Sequence, residues 1–89
     1  MTIFDIIERI ENAIEEESNV DITVSTKRGT ILFVNGIVSN IQNDRSTIEI
    51  DMEEGGGATL NFDSAIITSE DRGFCIATEY ETYYIEFAS

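Results

Sequence analysis

The sequence predicts an α+β fold: an N-terminal helix followed by a five- or six-stranded antiparallel meander, strongly curved or closed as a small barrel. Three observations predict it. Apolar residues near the N-terminus recur at helical spacing, and from Val20 onward the apolar period drops to two. The stretches between the period-two runs are only a few residues long, the length of hairpin connections.

The helix is expected over residues 3–17. Ile3, Ile6, Ile7, Ile10, Ala13 and Ile14 form one apolar stripe, and Glu8, Glu11, Asn12, Glu15 and Glu16 lie away from it. Thr2 is positioned to cap the start, with Asp5 completing a capping-box arrangement. Ser18-Asn19 ends the helix, with Asn19 as the left-handed cap.

A first strand follows, with Val20, Ile22 and Val24 inward and Asp21, Thr23 and Ser25 outward. Lys27-Arg28-Gly29 is a turn. The second strand, residues 30–41, contains the run Ile31-Leu32-Phe33-Val34, which predicts apolar cover on both faces, and Gly36 predicts a bulge or bend. Asn43-Asp44-Arg45 turns the chain. Residues 47–53 alternate cleanly, with Ile48, Ile50 and Met52 inward. Gly55-Gly56-Gly57 is a hairpin loop. Leu60 and Phe62 resume the pattern, and Ile66-Ile67 continue it. After a turn over 69–73, Phe74, Ile76 and Thr78 form a fifth strand. Tyr83, Ile85 and Phe87 form a sixth, joined through Glu81-Thr82.

Eighty-nine residues without a linker, repeat or proline make one domain, residues 1–89, long enough to bury a core without disulfides or metal. The N-terminus lacks the basic segment and apolar run of a secretory signal, no apolar stretch reaches the length of a membrane span, and Cys75 is the only cysteine. A cytoplasmic location is expected, with no membrane partner.

The composition argues against catalysis. Histidine is absent, so the usual general base is missing. Cys75 lies between inward Phe74 and Ile76 with no adjacent cation, which reads as a small hydrophobe on a strand. The glycine run is followed by no Lys-Ser/Thr pair and preceded by acids, so it is not a phosphate cradle. Asp51, Glu53, Glu54 and Asp63 bracket it, but their spacing matches no EF-hand. No catalytic residue, metal site or cofactor is expected. Direct nucleic-acid binding is disfavoured as well. Lys27, Arg28, Arg45 and Arg72 sit singly or in pairs in turns, without the basic stripe such binding needs.

The charge is the outlying property. Eighteen acidic against five basic residues give a net charge of −13, beyond the magnitude of about 2–8 that keeps a small domain soluble. Pairing Ile50 with Phe62 and Met52 with Leu60 would set Glu49 against Asp63, a cross-strand repulsion of roughly 0.2–1 kcal/mol. Glu15-Glu16-Glu17 crowd the helix C-terminus, where the dipole disfavours acids. Two local rules broken in the same direction point to a surface made for a cationic partner. The candidate face is Glu49, Asp51, Glu53, Glu54 and Asp63, followed by the helix acids Glu8, Glu11, Glu15 and Glu16. An apolar alternative centres on Tyr80, Tyr83 and Tyr84. The expected partner is a basic nucleic-acid-binding or nuclease protein, and the chain itself is expected to be a monomer or homodimer.

Small size, acidity and the helix-then-strands order resemble the compact phage proteins that inhibit host DNA-acting enzymes, such as anti-CRISPR proteins and uracil-DNA glycosylase inhibitor. Met1-Thr2 followed by Asp5-Ile6-Ile7-Glu8 is similar to the acidic first helix of the latter, although Glu17-Ser18-Asn19 departs from its Glu-Ser-Ile motif. The resemblance implies inhibition of a host protein by nucleic-acid mimicry. Immunity proteins that neutralise basic toxin nucleases share the same features. Residues 24–44, with Gly29 and Gly36, loosely resemble the first half of an Sm-like barrel, which implies a ring-forming or small-molecule-binding role.

Overall fold

The computed structural model describes residues 2–88; Met1, one of the residues on which the expected resemblance to the glycosylase inhibitor rests, lies outside them. Helix α1 (Ile3–Glu16) begins as its sequence predicts: the Asp5 carboxylate accepts the Thr2 N–H at 2.8 Å and the Thr2 hydroxyl at 3.3 Å. Ile6, Ile10 and Ala13 are buried, and Ile3, Ile7 and Ile14 pack at the margin of the core. The left-handed cap falls on Glu17 (φ 54°, ψ 40°) and not on Asn19, which opens the first strand. The Glu17 N–H donates to Ile14 at 3.2 Å and the Ser18 N–H to Ala13 at 3.0 Å. These two bonds form a Schellman motif, which satisfies two otherwise orphaned carbonyls.

Seven strands follow: β1 (Asn19–Thr26), β2 (Ile31–Asn43), β3 (Thr47–Met52), β4 (Gly57–Asn61), β5 (Ile66–Glu70), β6 (Gly73–Ala77) and β7 (Glu81–Phe87). They form one antiparallel sheet in the order β4-β3-β2-β1-β7-β6-β5, which is not closed into a barrel. The count is seven rather than five or six because Leu60-Phe62 and Ile66-Ile67 do not continue one strand. Ser64 takes a left-handed backbone (φ 57°), the Ala65 N–H turns back to Phe62 at 3.1 Å, and β4 and β5 become opposite edges of the sheet. Nor is the order a simple meander, because β7 returns to pair with β1. The last turn lies at 78–81, two residues earlier than one centred on Glu81-Thr82, with the Thr78 hydroxyl accepting the Glu81 N–H at 3.0 Å.

The connection between β4 and β5 forces curvature. A flat seven-stranded sheet spans about 29 Å from edge to edge, whereas five Cα steps across residues 62–65 reach at most about 18 Å. The bend is built into β2. Its first half pairs with β1 and its second with β3, and the register slips between Val38 and Asn40, where the Ser39 hydroxyl donates to the Asp51 carbonyl at 3.1 Å. The bulge therefore sits three residues beyond Gly36, which itself adopts a positive φ of 145°.

The core comes from α1 and the inward residues of β1, β3, β4, β6 and β7, with Val38 of β2. Phe74 and Phe87 meet edge to face at 6.1 Å, and the Arg9 guanidinium lies 4.7 Å from the Phe87 ring centre. Arg9 thus ties α1 to the Phe87 end of β7. The opposite end of β2 is not covered: Ile31, Leu32 and Phe33 are 68%, 58% and 62% exposed, contrary to the two-sided burial their run predicts. A 14-residue helix is about 21 Å long, and anchored near Phe87 it leaves Leu32 bare on the inner face, while Ile31 and Phe33 point to the opposite face with Ser25 and Thr23.

Candidate interaction surface

Every acid singled out from the sequence is exposed: Glu8, Glu11, Glu15 and Glu16 on α1, Glu49 and Asp51 on the outer face of β3, Glu53 and Glu54 in the β3–β4 turn, and Asp63 in the β4–β5 connection. Of these, Glu49 and Asp51 share the outer face of β3. Outward residues two apart on a strand are about 6.7 Å apart, and Glu53 and Glu54 follow in the turn beyond Met52. Asp63 does not join them. Its N–H is held by the Asn61 side chain at 2.9 Å, in the connection that leaves this half of the sheet.

The β3–β4 register also differs from the expected one. Ile48 faces Leu60 and Ile50 faces Ala58, so Glu49 lies opposite Thr59 and Asp51 opposite Gly57. On the other side their neighbours are Gln42 and Asn40. The expected repulsion between Glu49 and Asp63 is absent; both strand acids are flanked by neutral residues. The glycine run sets this register. Gly55 and Gly56 turn at φ 99° and 76°, and a Cβ on Gly57 would stand 2.1 Å from the Ile50 carbonyl oxygen, a contact only glycine permits.

A second surface lies on the outer face of the other half of the sheet. One row crosses it as Phe33, Thr23, Tyr84, Cys75 and Thr68; the next as Ile31, Ser25, Thr82, Ala77 and Ile66. None of these ten residues is charged, although 26% of the chain is. Ile66 is 72% and Tyr84 43% exposed. The row on the far side of Phe33 and Tyr84 is acidic, running from Asn35 through Asp21 and Glu86 to Gly73 and Glu70, and Asn35 donates its side-chain amide to Asp21. That row borders an open groove of about 470 Å³ walled by Glu70, Asp71, Arg72 and Glu86. Of the three tyrosines expected to mark an apolar interface, Tyr80 and Tyr84 are exposed and Tyr83 is buried. The uncharged panel was not foreseen from the sequence. Its signal there was the Ile31–Phe33 run, which reads equally well as a strand covered on both sides.

The titratable groups with shifted affinity are structural. Burial, and then the nearby Glu70 charge, push the Cys75 thiol above its ordinary value, so it ionises less readily than a free thiol. Asp44 is held below the usual carboxylate range because its Oδ1 accepts the N–H of Ser46 at 2.9 Å, the N–H of Thr47 at 2.8 Å and the Thr47 hydroxyl at 3.0 Å. Among the described residues no group of three or more cysteine and carboxylate side chains is arranged to hold a metal ion, and no helix is long and apolar enough to cross a membrane.

No protein-family profile, curated protein or solved structure matches this chain.

Proposed function

We propose that this chain is an acidic inhibitor that binds a basic nucleic-acid-acting protein of a host cell, in the cytoplasm, and occupies the surface that otherwise receives nucleic acid. The observation that carries this reading is the exposed pair Glu49 and Asp51 on one face of β3, followed by Glu53 and Glu54 in its turn, with a net charge of −13. Carboxylates clustered on a strand and its turn present to a cationic groove charge of the sign that a nucleic-acid backbone presents. Complementary charge of this kind accelerates encounter and rejects partners of the wrong sign. The helix acids Glu8, Glu11, Glu15 and Glu16 add to the field from α1. Cross-strand repulsion no longer supports the reading, since the register gives both strand acids neutral neighbours.

The test is affinity capture from host lysate with the wild-type chain and with a Glu49→Gln, Asp51→Asn, Glu53→Gln, Glu54→Gln variant, at 50 and 500 mM salt. A nucleic-acid-handling protein retained by wild type, lost from the variant, lost at high salt and displaced by added duplex DNA or RNA supports the proposal. Retention indifferent to the variant and to salt refutes it. Capture of a toxin nuclease encoded with this chain identifies an immunity protein instead.

A further inference from the structure

We infer that the first half of β2, residues 31–35, is an open sheet edge that takes up an extended segment of another protein as an added strand. β2 changes partners along its length. Residues 31–37 pair with β1 on one side, whereas β3 pairs on the other side only from Val38 onward. On that second side residues 31–35 have no strand beside them. The bonds at the two ends fix the backbone directions. The Thr30 carbonyl accepts the Thr26 N–H at 2.9 Å from the β1 side, and the Ile37 carbonyl accepts the Glu53 N–H at 2.7 Å from the β3 side. Backbone groups alternate in direction along a strand, so those of Ile31, Phe33 and Asn35 point away from β1, as those of Ile37 do. Among the described residues no backbone group meets them there.

The chemistry of the edge identifies its occupant. A row of unpaired N–H and C=O groups is a template for one more strand. Bare edges are ordinarily blunted by charge or proline, and Ile31-Leu32-Phe33-Val34-Asn35 carries neither. Ile31 and Phe33 are exposed on the outer face and Leu32 on the inner one. An added strand sets its own side chains beside these on both faces, the cover that a two-sided apolar run calls for. The segment is therefore apolar on both faces over about five residues, about 17 Å. At the Asn35 end an open groove of about 240 Å³ is walled in part by Asn35, Gly36, Glu53 and Glu54, so a lysine or arginine follows the apolar run there. A second copy could supply a strand only by bringing a body of net charge −13 against its like. Strand addition requires no nucleic-acid mimicry, and Glu49 and Asp51 take no part in it.

The test is selection of random peptides displayed on phage against the full chain, followed by amide hydrogen exchange, read by NMR, with the best synthetic peptide. In the free chain the Ile31, Phe33 and Asn35 amides should exchange at least tenfold faster than those of Leu32 and Val34, which face β1. Selected peptides should carry an apolar run with a lysine or arginine at one end, and should slow exchange at all three outward amides at least tenfold. Phe33→Lys places a charge on the edge, and Ile31→Pro removes an outward N–H at the first position of the strand, where proline is tolerated. Each should weaken peptide binding at least tenfold while leaving the thermal midpoint within a few degrees. Glu53→Gln with Glu54→Gln should relax only the preference for a cationic end. Selection that enriches no sequence over the Phe33→Lys chain, or peptides that bind without protecting the three amides, overturns the inference. Slow exchange at all three in the dilute free chain overturns it too, as does protection that appears in the chain alone as its concentration rises, which assigns the edge to a second copy.

Discussion

The backbone N–H of Asn61, at the end of β4, donates a 3.3 Å hydrogen bond to the phenolic oxygen of Tyr83 in β7. The two strands are not neighbours in the sheet; β3, β2 and β1 separate them. The bond therefore spans the curl of the sheet and joins its two halves across the core. Tyr83 is 1% exposed, so its hydroxyl finds in Asn61 the partner that a buried phenol requires.

Tyr83→Phe removes this bond and little else. Stability should fall by about 0.5–1.5 kcal/mol, the usual net value of one hydrogen bond, read as a lower urea midpoint with an unchanged m value.

The same tyrosine gives an alkaline signature. Burial, only partly offset by the Asn61 bond, raises the Tyr83 phenol above its ordinary value of 10.0, and the nearby Glu81 adds to the rise. A group with a raised folded value contributes stability that is full below the unfolded value and lost as pH rises through the folded one. Unfolding should become easier above about pH 10, and this part of the loss should be missing in Tyr83→Phe. At the acid end Asp44 behaves oppositely: its lowered value gives stability present above pH 3.8 and lost as pH falls below it. Asp44→Ala should flatten that acid limb in a pH series of thermal melts.

Glu17→Gly should stabilise the domain by roughly 0.5–2 kcal/mol. Glycine removes the cost of a left-handed backbone, about 1–2 kcal/mol for a residue with a Cβ, and an acid from the negative end of the helix dipole. Its greater freedom when unfolded offsets part of the gain. A thermal midpoint that falls would contradict this account of the cap.

Ile10→Asp should unfold the domain. Ile10 is fully buried, and an unpaired charge there costs several kcal/mol, a large part of the total stability of a chain this size. Loss of the cooperative near-ultraviolet circular dichroism transition is the expected readout; a midpoint within two degrees or so of wild type would sink the helix-on-sheet packing.

Neutralising Glu49 and Asp51 to their amides should leave stability within about 0.5 kcal/mol of wild type, as for isolated surface sites. Their cross-strand neighbours are Gln42, Thr59, Asn40 and Gly57, so there is no opposed charge to relieve. A clear rise in the thermal midpoint would mean that these acids meet other carboxylates in solution.

The sequence by itself determined the elements whose signals are local. The capping pair Thr2–Asp5, the stripe Ile6–Ile10–Ala13 and the alternation of β1, β3 and β7 depend on residues a few positions apart, and the structure keeps each of them. Tertiary structure decided the rest. A period-two pattern says which side chains share a face, but not which strand lies opposite. Shifting a hairpin by four residues preserves every inward position, so alternation could not choose between Glu49 facing Asp63 and Glu49 facing Thr59. The two positive-φ glycines and the close approach at Gly57 made that choice. The break at Ser64 sent β5 to the far edge, and the return of β7 to β1 set the order of the sheet. Only then did Phe33, Thr23, Tyr84 and Cys75, from four strands, fall into one uncharged row. Leu32 stayed in solvent because a helix anchored at Phe87 is too short to reach that end of the inner face, and Ile31 and Phe33 because they point to the opposite face of the sheet, facts of packing that no local pattern contains.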